Sequence, residues 1–579
     1  MAAFGTLLFF ANQRRRFRSS EAALVMLAVL IGLAAGLFTL VQGIAAHFIQ
    51  TIFYGADIDR LSALASIAPV RLLALPFGGV LLAAVAILVR KRSGAPIDVV
   101  EANALHGGLI PVRDSLLVSA QTLISNGAGA SVGLEAAYAQ MGGGFASVVG
   151  QWLRLRRNDL RILVGAGSGA AIGAAFGAPL TGAFYAFEIV IGAYTPAAIA
   201  PVAAAALAAV VIIRASGLPA YLIALPSTHA IVTLDYFVYA VLGLVCALIG
   251  IFLMRAVTLI ESRVRRSRLP DLARPIVGGL LLIPIAWISP QALSAGHGAL
   301  HLDLAVPVSL SFLAIILLLK MTASAISLGF GFRGGLFFAS LFLGSLVGQI
   351  FAILVGAIPG MPPIDVTDAA LIGMAAMAVA VVGGPMTMSM LVLEATHDFA
   401  LTGVAITAAL CASTIVRETF GFSFSTWRLH TRGETIRSAR DVGWVKALTA
   451  GRMMRRGAST VDSSITVADF QKRFPLGSIS RVVLTGPGRI YAGLVPTALA
   501  HAAAVDLNAP VSTVAILQGR ALRPDEDVVS VMKMFDACET DDLAVLSEEG
   551  DILGVISEKY VRRRYAEEIE KSQRELFGE

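Results

Sequence analysis

The sequence predicts an all-α polytopic membrane protein of two inverted repeats with broken half-helices, followed by a C-terminal α/β module. Three observations predict it. The 579 residues are 56% hydrophobic and only 15% charged, with a mean hydropathy of +0.78, which is membrane composition. Two apolar stretches read as copies: GSGAAIGAAFGAPLTGAFYAFE from Gly167 to Glu188, and GMAAMAVAVVGGPMTMSMLVLE from Gly373 to Glu394. In each, a glycine lies twelve residues before a proline and a glutamate nine residues after it. Finally, charge returns at Arg428 and persists to the end, as in a water-soluble domain.

A second matched pair lies upstream of the first, GLEAAYAQMG at Gly133 to Gly142 and GLFFASLFLG at Gly335 to Gly344, offset by 202 residues against 206 for the later pair. One repeat therefore runs from about residue 21 to 216 and the other from about 235 to 424, within a membrane domain of residues 21–435. The segment joining the halves is expected to include the basic RVRRSR patch. Duplicated halves in a membrane protein point to a transporter or channel with its site where they meet. Long runs such as ALVMLAVLIGLAAGLFTLV can span a bilayer, but Leu134 to Gly144, Pro179 to Val190 and Pro385 to Ala395 are too short and broken by Gly or Pro. Such half-spans survive only where their freed backbone groups are buried or line a site. Small residues saturate the spans and permit close packing. Strand alternation is absent, which excludes a membrane β-barrel.

Arginines cluster at the ends of apolar runs: Arg14 to Arg16 and Arg18, Arg154, Arg156 and Arg157, Arg263, Arg265, Arg266 and Arg268. The positive-inside rule puts these in the cytoplasm of a cell-membrane protein, with the N-terminal segment 1–20 and the C-terminal tail. The basic balance, +6 at pH 7, is thus a topology signal and no argument for nucleic acid. The first apolar run is longer than a signal-peptide core and reads as retained. Cys246, Cys411 and Cys538 have no paired spacing, so neither a disulfide framework nor a metal site is expected. The eight histidines (His47, His106, His229, His297, His301, His397, His430, His501) are scattered without ligand spacing and are expected to be solvated or capping. No cofactor is expected.

The tail repeats as well. TVADFQKRF at Thr466 matches DVVSVMKMF at Asp527 with an offset of 61, and VVLTGPGRIYAGLVP superposes on LAVLSEEGDILGVIS at the same offset. Each unit reads helix, strand, turn, strand, with Gly493 and Gly554 closing the second strand. This resembles a tandem pair of CBS domains, at residues 443–505 and 507–566, before a charged end at 567–579. Nucleotide-binding members carry an acid shortly after the second strand. Here Tyr560 follows Ser557 and the first repeat has no acid near Pro496, which argues against adenine-nucleotide binding and for a packing or dimerising tail.

Glu135 is the most distinctive residue, an ionisable group inside an apolar break and thus a functional candidate by default. A half-helix starting inside the membrane aims free N–H groups and a positive dipole end into a cavity, where an anion can complete them. Several such ends can hold an anion without a full positive charge, so the ion can leave again. The ordinary alternative for Glu135 is a helix-stabilising acid.

The set of breaks resembles the CLC family of chloride channels and chloride/proton antiporters. Ser93-Gly94-Ala95-Pro96, Gly133-Leu134-Glu135-Ala136-Ala137 and Gly335-Leu336-Phe337-Phe338-Ala339 are similar to its three anion loops, with FGAPLTGAFYAFE and the CBS-like tail completing the order. The resemblance implies a homodimer in the lipid bilayer with one pore per subunit. It further implies Glu135 as the gate, whose protonation admits chloride, and a chloride site at Ser93, Gly94, Leu336, Phe337 and Ser425, with Gly133 and Gly335 as loop glycines. Ser93 would offer its hydroxyl; Leu336 and Phe337 would offer backbone N–H groups.

The sequence departs from the family pattern. The loop prolines are Ala137 and Ala339, and Leu134 stands where a basic residue is common. Ser425, or Phe424 if the alignment slips by one, replaces an ion-coordinating tyrosine. Ile189 replaces the inner proton-accepting glutamate of well-known antiporters. The last two differences favour passive chloride flow over proton-coupled exchange, with the antiporter as the alternative. Glu188 and Glu394 read as structural. A CBS-containing divalent-cation transporter is disfavoured by the scarcity of membrane acids, and an intramembrane hydrolase by the lack of a nucleophile–base pair.

Overall fold

The computed structural model describes residues 20–55, 60–89, 96–217, 231–305, 308–361, 364–421, 423, 427 and 448–577. The chain divides into two compact units, 1–441 and 442–579. In the first, helices α1 to α8 span Glu21–Tyr54, Ala74–Val89, Val99–Leu105, Val112–Gly127, Glu135–Trp152, Arg157–Phe176, Pro179–Tyr185 and Pro196–Ser216. Helices α9 to α16 span Thr233–Arg266, Arg274–Ile288, His297–Ala305, Leu310–Gly329, Phe337–Gly356, Val366–Val382, Pro385–Thr396 and Phe399–Thr419.

The two sets match in order. α1 and α9 both have 34 residues, α8 and α16 both 21. Among the described residues, eight helices are long and apolar enough to cross a membrane, and the fold is that of a multi-pass membrane protein. The RVRRSR patch lies at the end of α9, inside the second repeat, so the join between the repeats is 217–232 and the expected joining segment is corrected. An arginine-rich run at the end of an apolar helix is a boundary of a span and need not bound a repeat.

Local chemistry sets the helix ends. Ser20 caps α1 by accepting from the Ala23 N–H, and Gly55 stops it in the left-handed conformation. Asp365 accepts from Thr367 and Asp368 at the start of α14, and Asp398 from Ala400 and Leu401 at the start of α16. Where α5 crosses α6, Gly142 and Gly167 face one another so closely that a side chain on either would strike the other's backbone. Gly344 and Gly373 repeat this contact between α13 and α14. These are the glycines of the two sequence copies, and their lack of a Cβ allows the crossing.

Two of the expected half-helices are short. α7 is 7 residues and continues as a π-helical turn, Ala186–Ile191, that ends at left-handed Gly192. α15 has 12 residues and follows Gly383 and Gly384, both at positive φ. The third is longer than expected, because α5 runs on past Gly144 to Trp152. The stretch FASVVGQW that follows has no proline, and Gly150 packs against Leu160 without ending the helix.

In the second unit α17 (Ala450–Met453) precedes β1 (Arg455–Arg456) and β2 (Thr460–Asp462); α18 (Val467–Arg473), β3 (Arg481–Thr485), β4 (Tyr491–Pro496) and α19 (Thr497–Ala500) follow. Then come α20 (Val528–Cys538), β5 (Asp542–Leu546), β6 (Ile552–Ser557) and α21 (Glu558–Phe577). The helix–strand–turn–strand order recurs, giving sheets β2-β3-β4 and β1-β6-β5. The sheets have their own cores, around Phe470 and Phe535, and share a small cluster of Val483, Tyr491, Leu494 and Ala544. Leu448, Ala450 and Met453 pack in the Phe535 core, so the start of the tail joins its later half. Gly493 and Gly554 lie within β4 and β6 and do not close them. Gly493 sits at φ 136° and Gly554 lets the Arg455 carbonyl approach, so both serve close backbone contact inside the sheet. Half-buried Asp542 lies 3.5 Å from Arg481; burial raises its carboxyl from the ordinary range and the guanidinium opposes that.

Candidate anion site

Two of the contacts between the repeats are reciprocal pairs of bonds. At the centre, Gly133 N–H donates to Gly335 O at 2.9 Å and Gly335 N–H to Gly133 O at 3.2 Å. This antiparallel bridge sets the starts of α5 and α13 side by side. Glu135 occupies the first turn of α5 and is 5% exposed. Its carboxylate folds back over Gly133, where any side chain would collide with it, and lies close to Gly335. Its Oε1 accepts from the Phe338 N–H of α13 at 3.1 Å. The first intrahelical bond of α13 is Ser340 to Leu336, at 2.8 Å, so Phe338 is one of the N–H groups that a helix start leaves over. A carboxylate from one repeat thus occupies the positive end of a helix of the other.

The structure brings Glu135, Gly133, Gly335, Leu336 and Phe337 to one point. Leu336 caps α13 and Phe337 is its first residue. The ring of Phe337 contacts Phe176 (5.0 Å between centroids) and Tyr185 (6.1 Å). Ser93, Gly94, Phe424 and Ser425 lie outside the described residues.

Three nearby groups were not legible in the sequence. The Phe338 N–H, rather than those of Leu336 and Phe337, holds Glu135. His297, the first residue of α11, is partly buried, and its ring lies 3.5 Å from that of Phe338. Lys320, on α12, is 0% exposed and donates to Ser294 O at 2.6 Å and Ala292 O at 3.3 Å. Its charge interacts with that of Glu135.

The second meeting place uses the two glutamates of the sequence copies. Glu188 Oε1 accepts from Met386 N–H (3.1 Å), and Oε2 from Thr387 N–H (2.8 Å) and Thr387 Oγ1 (2.7 Å). Glu394 does the same for the other repeat: Oε1 accepts from Leu180 N–H (2.7 Å), and Oε2 from Thr181 N–H (2.8 Å) and Thr181 Oγ1 (2.7 Å). Each carboxylate caps the short helix of the opposite repeat, α15 and α7 in turn. The sequence carried the signal, Pro-x-Thr seven residues ahead of each glutamate, but not that the caps are exchanged.

Two related repeats that meet at paired helix starts, inside a multi-pass domain, define a membrane ion-transport protein. The chain belongs to the voltage gated chloride channel family, CLC, whose model matches residues 77–417. It is 31% identical over 387 residues to a ClcB-like chloride channel protein of Ralstonia nicotianae, covering 65% of this chain and 89% of that one. Similarity to the voltage-gated ClC-type chloride channel ClcB of Salmonella typhimurium is 26% over 401 residues, 68% of this chain and 95% of that one. The fold is shared with a slow cyanobacterial Cl⁻/H⁺ antiporter (TM-score 0.61, 24% identity, 71% of this chain and 97% of that). A eukaryotic CLC transporter matches over 92% of this chain and 97% of its own (TM-score 0.58, 18% identity).

Proposed function

We propose that this chain conducts chloride and other small anions passively through a pore gated by Glu135. The observation that carries the reading is the buried Glu135 carboxylate on the first turn of α13, where an anion would compete for the same donor. Ser93, Gly94, Leu336, Phe337 and Ser425 complete the anion path in this reading, and protonation of Glu135 releases the α13 start to chloride.

Two features support passive flow over proton exchange. Ile189 cannot relay a proton, and the neighbouring Glu188 is engaged by three donors as a cap. In the alternative reading, an antiporter, Glu135 carries both chloride and proton, with water completing the inner route. The protein works as a homodimer in the cell membrane, each subunit with its own pore and both termini in the cytoplasm. The tail is a CBS pair, residues 443–505 and 507–566, that assembles or regulates without adenine nucleotide.

Chloride efflux from liposomes tests the gate between about pH 4.5 and 7.5, a window above the ordinary carboxylate range. Wild type should speed up in acid, while Glu135→Gln stays fast and nearly flat. Identical pH profiles for the two would remove Glu135 as the gate. Uphill proton uptake driven by a chloride gradient, at a fixed ratio, would replace the passive reading with the antiporter.

A further inference from the structure

Beside the gate lies a cavity of about 370 Å³ that no step above uses. Gln50 near the end of α1, Arg60 and Ser62 just beyond it, and Asn126, Ser294 and His297 all line it. Leu134 and Tyr138 close it on the gate side, so it ends against the residue that precedes Glu135. Since α1 starts next to the N-terminal arginines, its end lies at the membrane face opposite them.

Amid a largely apolar lining stand a few donors. Ser294 Oγ accepts from Gln50 Nε2 at 3.3 Å and Asn126 Nδ2 at 3.0 Å. Ser62 Oγ accepts from the Gly298 and Ala299 N–H groups at 3.0 and 3.3 Å. A hydroxyl has two acceptor sites and one donor, so each serine, with both acceptor sites taken, is left to donate. Arg60 adds a guanidinium, which can only donate. No carboxylate is among the described residues of the lining. Asn126 Nδ2 also holds the Val132 carbonyl at 2.8 Å, next to the Gly133 bridge, and His297 stacks on Phe338. The walls of the cavity are therefore tied to the gate strand and to the donor of Glu135.

We propose that this cavity is an anion antechamber, in which a small monovalent anion rests between Arg60 and the hydroxyls of Ser62 and Ser294 before it exchanges with the Glu135 site. The inference rests on the chloride reading above and adds where the ion waits. A lipid phosphate could present the same negative charge to Arg60, and the test separates the two sources.

Chloride flux is measured in proteoliposomes with chloride varied on one face at a time. Arg60→Gln should raise the half-saturating chloride concentration about tenfold at the face where α1 ends, consistent with loss of one charge-assisted contact. The maximal rate and the opposite face should be unchanged. Arg60→Lys should recover most of the affinity, and Ser62→Ala should show a smaller loss at the same face. If the wild type carries chloride and Arg60→Gln leaves both faces unchanged, the antechamber is overturned while the pore reading stands. If the wild type carries no chloride, both fall. The assay is repeated with vesicles of uncharged glycolipid that contain no phosphate: an Arg60→Gln effect that persists supports a free anion, and one that vanishes assigns the cavity to a lipid headgroup and overturns the proposal.

Discussion

Lys320 shows how a single side chain can be held in place without an ion partner at contact distance among the described residues. Burying an ammonium is costly unless its protons are satisfied, and two carbonyls of the 292–294 segment accept from it, with the Phe342 ring 5.9 Å away. Ser294 in turn binds Gln50 and Asn126, so Lys320 anchors the network that fixes the gate strand. Lys320→Met should leave both carbonyls bare, at a cost of about 1–3 kcal/mol each. Its melting temperature in detergent should drop by several degrees and its chloride flux should fall, while Lys320→Arg retains both. Equal melting of Met and wild-type forms would contradict this anchoring role. In the sequence Lys320 is one lysine within LSFLAIILLLKMTASA, and nothing local reveals its partners. Glu135 was legible because its own break is a copy of another. Lys320 was not, because its role depends on α12 meeting a segment from outside its helix.

At the scale of elements, the exchanged caps explain how half-helices as short as α7 and α15 hold their ends. The starting N–H groups of a helix have no partner of their own, and here the opposite repeat supplies one carboxylate for three donors. Glu188→Ala and Glu394→Ala should therefore destabilise the protein by similar amounts, about 1.5–3 kcal/mol each. Thermal melting of the two variants checks this. A loss confined to one of them would mean that the two ends are not equivalent. The structural reading of both glutamates from sequence agrees with this geometry. The identity of their partners did not follow, because repetition within a chain shows that two elements are alike and leaves open whether each serves itself or its copy. In the tail, for the same kind of reason, the stretch before β2 gave no sign that it packs with the later strands: α17 has four residues and its partners lie beyond residue 520.

For the whole molecule, the division at 441/442 separates two units with independent cores. A chain ending near Val442 should still carry chloride in liposomes, with altered gating or lower yield at most. ATP and AMP should leave the melting temperature of the tail unmoved, and a clear nucleotide-dependent rise would restore an adenine site. Loss of all flux on truncation would make the tail part of the pore. The exchanged caps have one more consequence, for synthesis. When the first repeat has been made and the second has not, α7 lacks Glu394 and Glu188 lacks Thr387, so neither closing contact can form. The first half must wait in the bilayer with its short helix open until the ribosome has delivered the second. Its final shape is a product of the complete chain, and a release of the nascent polypeptide at midpoint would strand a half that cannot finish itself.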